Sequence, residues 1–158
     1  MVSSVTNCKS HSSMRNHAPL KLEEFLPYRL SILSNRVSQS IAREYEKRFD
    51  LSVTEWRVMA VLARFDALSA REVAERTAMD KVAVSRALAQ LVASGRVTRR
   101  THDGDKRRSV LRLSARGWKI HDAVAPLALE HEHQLLEQLT AVERETLSRI
   151  LDKLTANP

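Results

Sequence analysis

Residues 69–113 constrain this chain most, because the signals for two helices, a tight turn and a hairpin follow one another there without a gap. The stretch opens at Ser69-Ala70-Arg71-Glu72, a capping box in which the Ser oxygen and the Glu carboxylate satisfy backbone donors that a helix start leaves unpaired. Val73 and Ala74 then turn inward. After Thr77-Ala78-Met79, which reads as a turn, Asp80 supplies an N-cap, and Val84, Ala87, Leu88 and Leu91 recur at three- and four-residue spacing along one face. That face holds the second helix from behind. Lys81, Ala83, Ser85, Arg86 and Gln90 fall on the other side, short side chains mixed with long hydrogen-bonding ones, a set suited to base edges and phosphates in a DNA major groove. Gly95 is expected to close the helix as a left-handed C-cap.

Beyond Gly95, Val97-Thr98-Arg99-Arg100 and Ser109-Val110-Leu111-Arg112-Leu113 alternate apolar and polar residues, and His102-Asp103-Gly104-Asp105-Lys106-Arg107-Arg108 between them has turn chemistry. The pattern predicts a hairpin whose tip carries Lys106, Arg107 and Arg108, placed to reach sugar-phosphate or enter a minor groove, with Asp105 bracing one Arg from within the loop. On charge alone a solvated loop would explain these residues. Directly behind a recognition-type helix, a basic hairpin points instead to DNA. Helix, turn, helix and hairpin together make a winged helix-turn-helix over residues 52–113.

The net charge of +7 is unevenly placed. Residues 69–112 hold eleven Lys and Arg against five Asp and Glu, whereas residues 113–158 hold five against seven. Cations concentrated in the DNA-reading module are what counterion release from phosphates favours. The single cysteine, Cys8, excludes an intramolecular disulfide framework and suits a reducing cytoplasm. No apolar run is long enough to span a bilayer, and no charged start leads into an apolar signal core, so a cytoplasmic, nucleoid-associated protein is expected. Residues 1–18, rich in Ser, Asn, His and Thr, bury too little to offset the entropy of ordering them and read as a disordered tail.

The remainder, residues 19–158, reads as one domain that is mainly α with a small β-hairpin wing. A long helix is predicted over residues 20–49, with Leu26, Leu30, Leu33, Val37 and Ile41 as its apolar stripe and Pro27 near its start. Arg29, Arg36 and Arg43 recur at sevens along a neighbouring stripe, either a solvated helix flank or a row of cations for an anionic ligand. Ser52-Val53-Thr54-Glu55 is a second capping box, opening a helix with Trp56, Met59, Ala60 and Ala63 inward. Trp56 serves either the core or the ligand site at the end of the Arg stripe. After the wing, Ser114-Ala115-Arg116-Gly117 starts another long helix, and Thr140-Ala141-Val142-Glu143 repeats the capping signal, so the chain should break and restart at Thr140. Residues 20–49 and 115–155 thus supply amphipathic helices with more apolar stripe than the centre can cover, which implies dimerisation helices and a symmetric partner.

Enzyme chemistry is missing from the sequence. There is no Gly-rich phosphate loop, nucleophile elbow or paired Cys spacing, and the three glycines, Gly95, Gly104 and Gly117, each have a structural explanation. No cofactor is implied. His131 and His133 project about 200° apart on a helix, so they would need further ligands such as His121 to hold a metal, and no metal site is expected.

Over roughly residues 25–154 the sequence resembles the MarR family of bacterial transcriptional regulators. The resemblance rests on Leu51-Ser52 with Glu55-Trp56-Arg57-Val58, on Asp80-Lys81-Val82-Ala83-Val84-Ser85-Arg86, on Asp105-Lys106-Arg107, on Leu113-Ser114-Ala115-Arg116-Gly117, and on Leu139-Thr140 with Glu143-Arg144. It implies a homodimer of interleaved terminal helices, recognition helices in successive major grooves of a palindromic operator, wings at flanking minor grooves, and repression relieved by a small acidic aromatic ligand. By position, Ser85 and Arg86 would meet phosphate or base, Asp105 would brace the wing, and Arg107 would be its DNA-facing cation. Two departures stand out. Ala83 occupies a position where the family often has Ser or Thr, and Arg96 replaces a usually apolar residue, adding a phosphate contact or snorkelling along the wing base.

The expectation is therefore a ligand-responsive, dimeric repressor that binds DNA through Lys81, Ser85, Arg86, Gln90, Lys106, Arg107 and Arg108. Arg29, Arg36, Arg43 and Trp56 are the candidates for an effector, an aromatic acid or its coenzyme A thioester. Two rivals stay open. One is an architectural DNA-binding protein without effector, which would lack the roughly 10³-fold specific-over-nonspecific preference of a regulator. The other is a redox or metal sensor on the same fold, depending on Cys8 or the histidines.

Overall fold

The computed structural model describes the backbone of residues 20–102 and 105–156, and the side chains of those residues outside 101–108. The expected disordered tail with Cys8, and the side chains of Asp105, Lys106, Arg107 and Arg108, lie outside the described residues.

The first helix, α1 (Leu26–Phe49), starts later than the predicted residue 20. A helix running from residue 20 would set the Pro27 ring against the Glu23 carbonyl, whereas at the first turn the missing N–H costs nothing. Residues ahead of it form a turn instead, with Glu24 and Phe25 N–H donating to the Lys21 carbonyl, each at 3.1 Å. At the other end Asp50 turns the chain with a left-handed φ of 47°. Helix α2 (Val53–Arg64) begins at the predicted capping box, Ser52 and Glu55 each bonding the other's backbone N–H. Its fully buried residues are Val58, Met59 and Leu62, while the predicted Trp56, Ala60 and Ala63 are half-buried. The shift arises because α2 is central, touching α1 and four later elements, so its apolar arc is wider than one stripe.

Helices α3 (Ala70–Thr77) and α4 (Lys81–Ala93) follow, then the antiparallel strands β1 (Val97–His102) and β2 (Asp105–Leu113), in register with Val97 opposite Leu113 and Arg99 opposite Leu111. Leu68, between α2 and α3, adds a bridge to β2, its carbonyl accepting from Leu111 N–H at 2.8 Å. Val97, Leu111 and Leu113 put the inner face of the hairpin into a core shared with Val73, Val84, Leu88 and Leu91. Helix α5 (Ala115–Leu136) runs on through Pro126 and packs against α1 and α2. Helix α6 (Ala141–Ala156) restarts where the third capping signal predicted, with Thr140 N–H donating to Glu143 at 2.8 Å.

These elements meet at Gly95-Arg96. Gly95, at φ 68°, ends α4 in a Schellman turn: its N–H reaches the Val92 carbonyl and that of Arg96 reaches Leu91. The Arg96 side chain does not snorkel along the wing base. It is 6% exposed and donates through one guanidinium nitrogen to the Asp50 carbonyl at 2.8 Å and through another to the Phe49 carbonyl, capping the C-terminus of α1. Its own carbonyl accepts from Ser114 N–H and hydroxyl, at 3.0 and 3.1 Å, which fixes the start of α5. Gly117 allows this approach, since a Cβ there would lie 2.2 Å from the Arg96 carbonyl oxygen. Gly117→Ala should therefore cost about 1–3 kcal/mol of overpacking, outweighing alanine's helix preference. Urea unfolding checks this, and a Gly117→Ala protein as stable as the parent would show that the joint gives way freely.

Candidate nucleic-acid interface

The geometry of α3 and α4 follows from their caps. The Asp80 carboxylate accepts from Val82 and Ala83 N–H at 2.9 and 3.0 Å, which fixes where α4 starts and which face turns inward. Val84, Ala87, Leu88 and Leu91 are buried, as their spacing predicted, while Lys81, Ser85, Arg86 and Gln90 are exposed. The turn before Asp80 is made by Ala78 in a left-handed conformation, φ 49°, and Thr77 closes α3 by donating to the Val73 carbonyl at 2.8 Å. At the start of α3, hydrogen bonds from the Ser69 backbone and side chain hold the Glu72 carboxyl below the usual carboxylate range. The capping box is thus an anionic acceptor at the positive end of the helix.

Ser85 borders two hollows. One, of about 350 Å³, has Arg71 and Lys81 on its rim over the apolar Val84 and Leu88. The other, of about 160 Å³, is closed on the far side by Arg99 of β1. Arg99 is a cation beside α4 to which sequence reasoning gave no role; alternation puts it on the Val97 face of β1, opposite Leu111, and only the packing of the hairpin on α4 brings it to Ser85 with its side chain still exposed. Arg71 is engaged by Glu75 at 2.7 Å, an exposed pair that contributes little to stability. Among the described residues no carboxylate pairs with Lys81, Arg86 or Arg99. The hairpin backbone continues this surface, with Arg112 of β2 tied to Asp66 at 2.9 Å.

The effector candidates do not form one site. Arg29 and Arg36 share an open cavity of about 460 Å³ along α1 with Leu26, Leu30 and Leu33. Arg36 also lines a cavity of about 360 Å³ between α1 and α5, with Ser40, His131 and Gln134. Arg43 and Trp56 line neither. Arg43 lies two heptads from Arg29, roughly 21 Å along the helix at 1.5 Å per residue, too far for one small ligand to meet both. Trp56 instead joins an aromatic cluster, its ring stacked on His121 at 5.7 Å and tilted against Tyr45 at 5.9 Å, with Trp118 edge-on to His121. Burial pushes the Tyr45 hydroxyl up to about 12, Glu46 adding to the shift and Arg57 opposing it. Arg57, to which the sequence assigns no role, donates to Ser38 and Ser34 at 2.7 and 3.3 Å and so ties α2 to α1. His131 meets Ser40 at 3.3 Å, and among the described residues no group of three or more His, Cys, Asp or Glu is placed to hold a metal.

A sequence profile described as the MarR family matches residues 49–108. The transcriptional regulator HosA of Escherichia coli O157:H7 is 30% identical over 117 residues, covering 73% of this chain and 86% of HosA. The chain belongs to the MarR family. Among solved structures, a MarR/EmrR family transcriptional regulator from Acinetobacter sp. ADP1 superposes with a TM-score of 0.78 at 26% identity, over 87% of this chain and 96% of that one. Bordetella bronchiseptica BpsR, whose DNA binding is regulated by 6-hydroxynicotinic acid, shares the fold at a TM-score of 0.75 and 19% identity, over 89% of this chain and all of its own. This MarR-family chain is accordingly a DNA-binding transcriptional regulator with a winged-helix fold. Among its described residues no helix is long and apolar enough to cross a membrane.

The caps that set the DNA-reading face have a measurable weight. Asp80→Ala should destabilise the protein by about 1 kcal/mol, since two N–H groups at the start of α4 lose their acceptor. A shift in the urea midpoint at unchanged slope is the expected result; no shift would mean that packing alone sets the start of α4.

Proposed function

We propose that this regulator is a repressor that binds a palindromic operator as a homodimer and is released by a small aromatic acid or its coenzyme A thioester. The observation that carries the DNA part is the division of α4 into a buried apolar face and an exposed face bearing Lys81, Ser85, Arg86 and Gln90. Arg86 has the reach to fork onto a guanine edge or clamp a phosphate, with Ser85 one position before it. The wing residues Lys106, Arg107 and Arg108 add salt-dependent affinity at the flanks, and Asp105 braces the loop. The homodimer is supported by the terminal helices: α6 has no buried residue, and its Leu147, Ile150, Leu151 and Leu154 stand exposed, as do Leu26, Leu30 and Leu33 of α1. A two-fold partner covers such stripes without leaving an open end.

Arg86→Ala should lose about 1–3 kcal/mol of operator affinity at fixed salt and relax discrimination at one base position. Unchanged affinity would remove Arg86 from the interface. The same titration against scrambled DNA separates a regulator from an architectural protein, for which the specific-to-nonspecific ratio would fall below ~10³.

For the effector, the cavity between α1 and α5 offers Arg36 to a carboxylate and Leu33, Val37 and Leu135 to an aromatic ring. BpsR, regulated by 6-hydroxynicotinic acid, supplies a precedent of the same chemical class on the same fold. Such a ligand must favour the DNA-incompetent form, and a ~100-fold preference corresponds to about 2.7 kcal/mol of coupling. An aromatic acid or thioester is expected to lower operator affinity, and Arg36→Ala to blunt that response while DNA binding without ligand persists. A panel of aromatic acids and thioesters in a DNA-release titration decides it; a full response in Arg36→Ala would rule this cavity out.

A further inference from the structure

A further cavity, of about 430 Å³, opens where the end of α1 meets the start of α5, and its charge is unexplained by DNA binding. Lys47 and Arg48 come to it from the last turn of α1, Arg116 and Lys119 from the first turns of α5, and Arg96 from the junction of α4 and β1. Asp50 is the one carboxylate on its wall. Among the described residues none of the four exposed cations is paired with a carboxylate. The buried Arg96 has a further vacancy: two of its nitrogens are used on α1, but Nε has no hydrogen-bond partner.

Ordinary helix electrostatics accounts for only half of this cluster. Lys47 and Arg48 lie at the negative end of α1, where cations are stabilising. Arg116 and Lys119 lie at the positive end of α5, which has no acidic residue in its first turn, and there a cation is unfavourable. Bringing all four together around a buried Arg whose acceptors are two neutral carbonyls is a repulsive arrangement that an anion relieves. No residue of α4 lines this cavity, and Lys81, at the far end of α4, is separated from its Arg96 wall by the length of that helix, 13 residues or roughly 20 Å.

We propose that this cavity binds a small molecule bearing an oligophosphate group. Four exposed cations from two helices exceed what a single carboxylate can neutralise, whereas a di- or triphosphate spreads its charge over several oxygens. The Arg48 and Arg116 guanidinium forks match phosphate geometry, and the Lys ammonium groups act as point charges beside them. Phe49 and Ile120 supply an apolar edge to whatever the phosphates are attached to.

Isothermal titration of the full chain with inorganic tripolyphosphate, and with sulfate as control, at constant ionic strength tests the proposal. Wild type should bind one tripolyphosphate per chain, at least about tenfold more tightly than sulfate. The double variant Arg116→Gln/Lys119→Gln, and independently Lys47→Gln/Arg48→Gln on the other helix, should each weaken tripolyphosphate at least about tenfold while operator affinity without it stays as in wild type. Both pairs are exposed, so either one serves if the other folds poorly. Sulfate binding as tight as tripolyphosphate, or tripolyphosphate binding that survives both double variants, overturns the site. A fall in operator affinity and in its salt dependence in both variants overturns it too, by showing that the cavity follows the DNA backbone.

Discussion

One buried guanidinium, that of Arg96, joins the DNA-reading lobe to the long helices. A charge taken out of water costs several kcal/mol unless its protons find acceptors. Here the acceptors are the Phe49 and Asp50 carbonyls, which carry the negative end of α1 and are themselves in need of donors. Each such charged hydrogen bond contributes about 1.5–3 kcal/mol, enough to hold the side chain in place. The backbone of the same residue closes the Schellman turn of α4 and accepts from Ser114, so four elements converge within a few residues.

The joint bears on how the protein moves. Gly117 lets α5 press on the Arg96 carbonyl so closely that a methyl group would not fit, and a contact that tight transmits displacement instead of absorbing it. Arg57, bonded to Ser38 and Ser34, adds a second tie between α1 and the lobe through α2. With α1 tied to the lobe at two places, a change in its tilt would pull on α4 through those ties. A ligand between α1 and α5, as proposed around Arg36, would therefore act on the spacing of recognition helices without touching either one.

How much of this was legible depended on the range of the interaction. The caps at Ser52, Ser69, Asp80 and Thr140 were readable because donor and acceptor lie within three residues of each other. The faces of α4 were readable because its apolar residues keep a single helical period. The start of α1 is not readable from periodicity, because Leu20 and Leu22 extend the apolar pattern past Pro27, which costs nothing in a first turn but about 3 kcal/mol in a helix interior. On α2, Val58, Ala60, Val61, Leu62 and Ala63 are all apolar, so periodicity could not say which would be deepest. The burial of Arg96 is invisible in the sequence because its partners lie 46 and 47 residues back, beyond any local pattern. Of the two readings open for Trp56, core or ligand site, the sequence could not choose for the same kind of reason, its neighbour His121 being a contact that only the tertiary fold creates.

The terminal helices pose the remaining physical problem. An isolated helix shorter than about 12–15 residues is marginal in water even when rich in alanine, and α6, little longer at 16 residues and mixed in composition, has no buried residue to tie it to the core. Its capping box, with Glu143 held below the usual carboxylate range by Thr140, stabilises only its first turn. Some other surface must cover Ile150, Leu151 and Leu154 if the helix is to persist. On the homodimer proposed here that surface is the partner's, which makes the order of α6 depend on protein concentration. Dissociation would then release the helices that set the separation of the two wings, so dilution and DNA release become linked equilibria: operator DNA that holds both lobes at the right spacing also favours the assembled dimer.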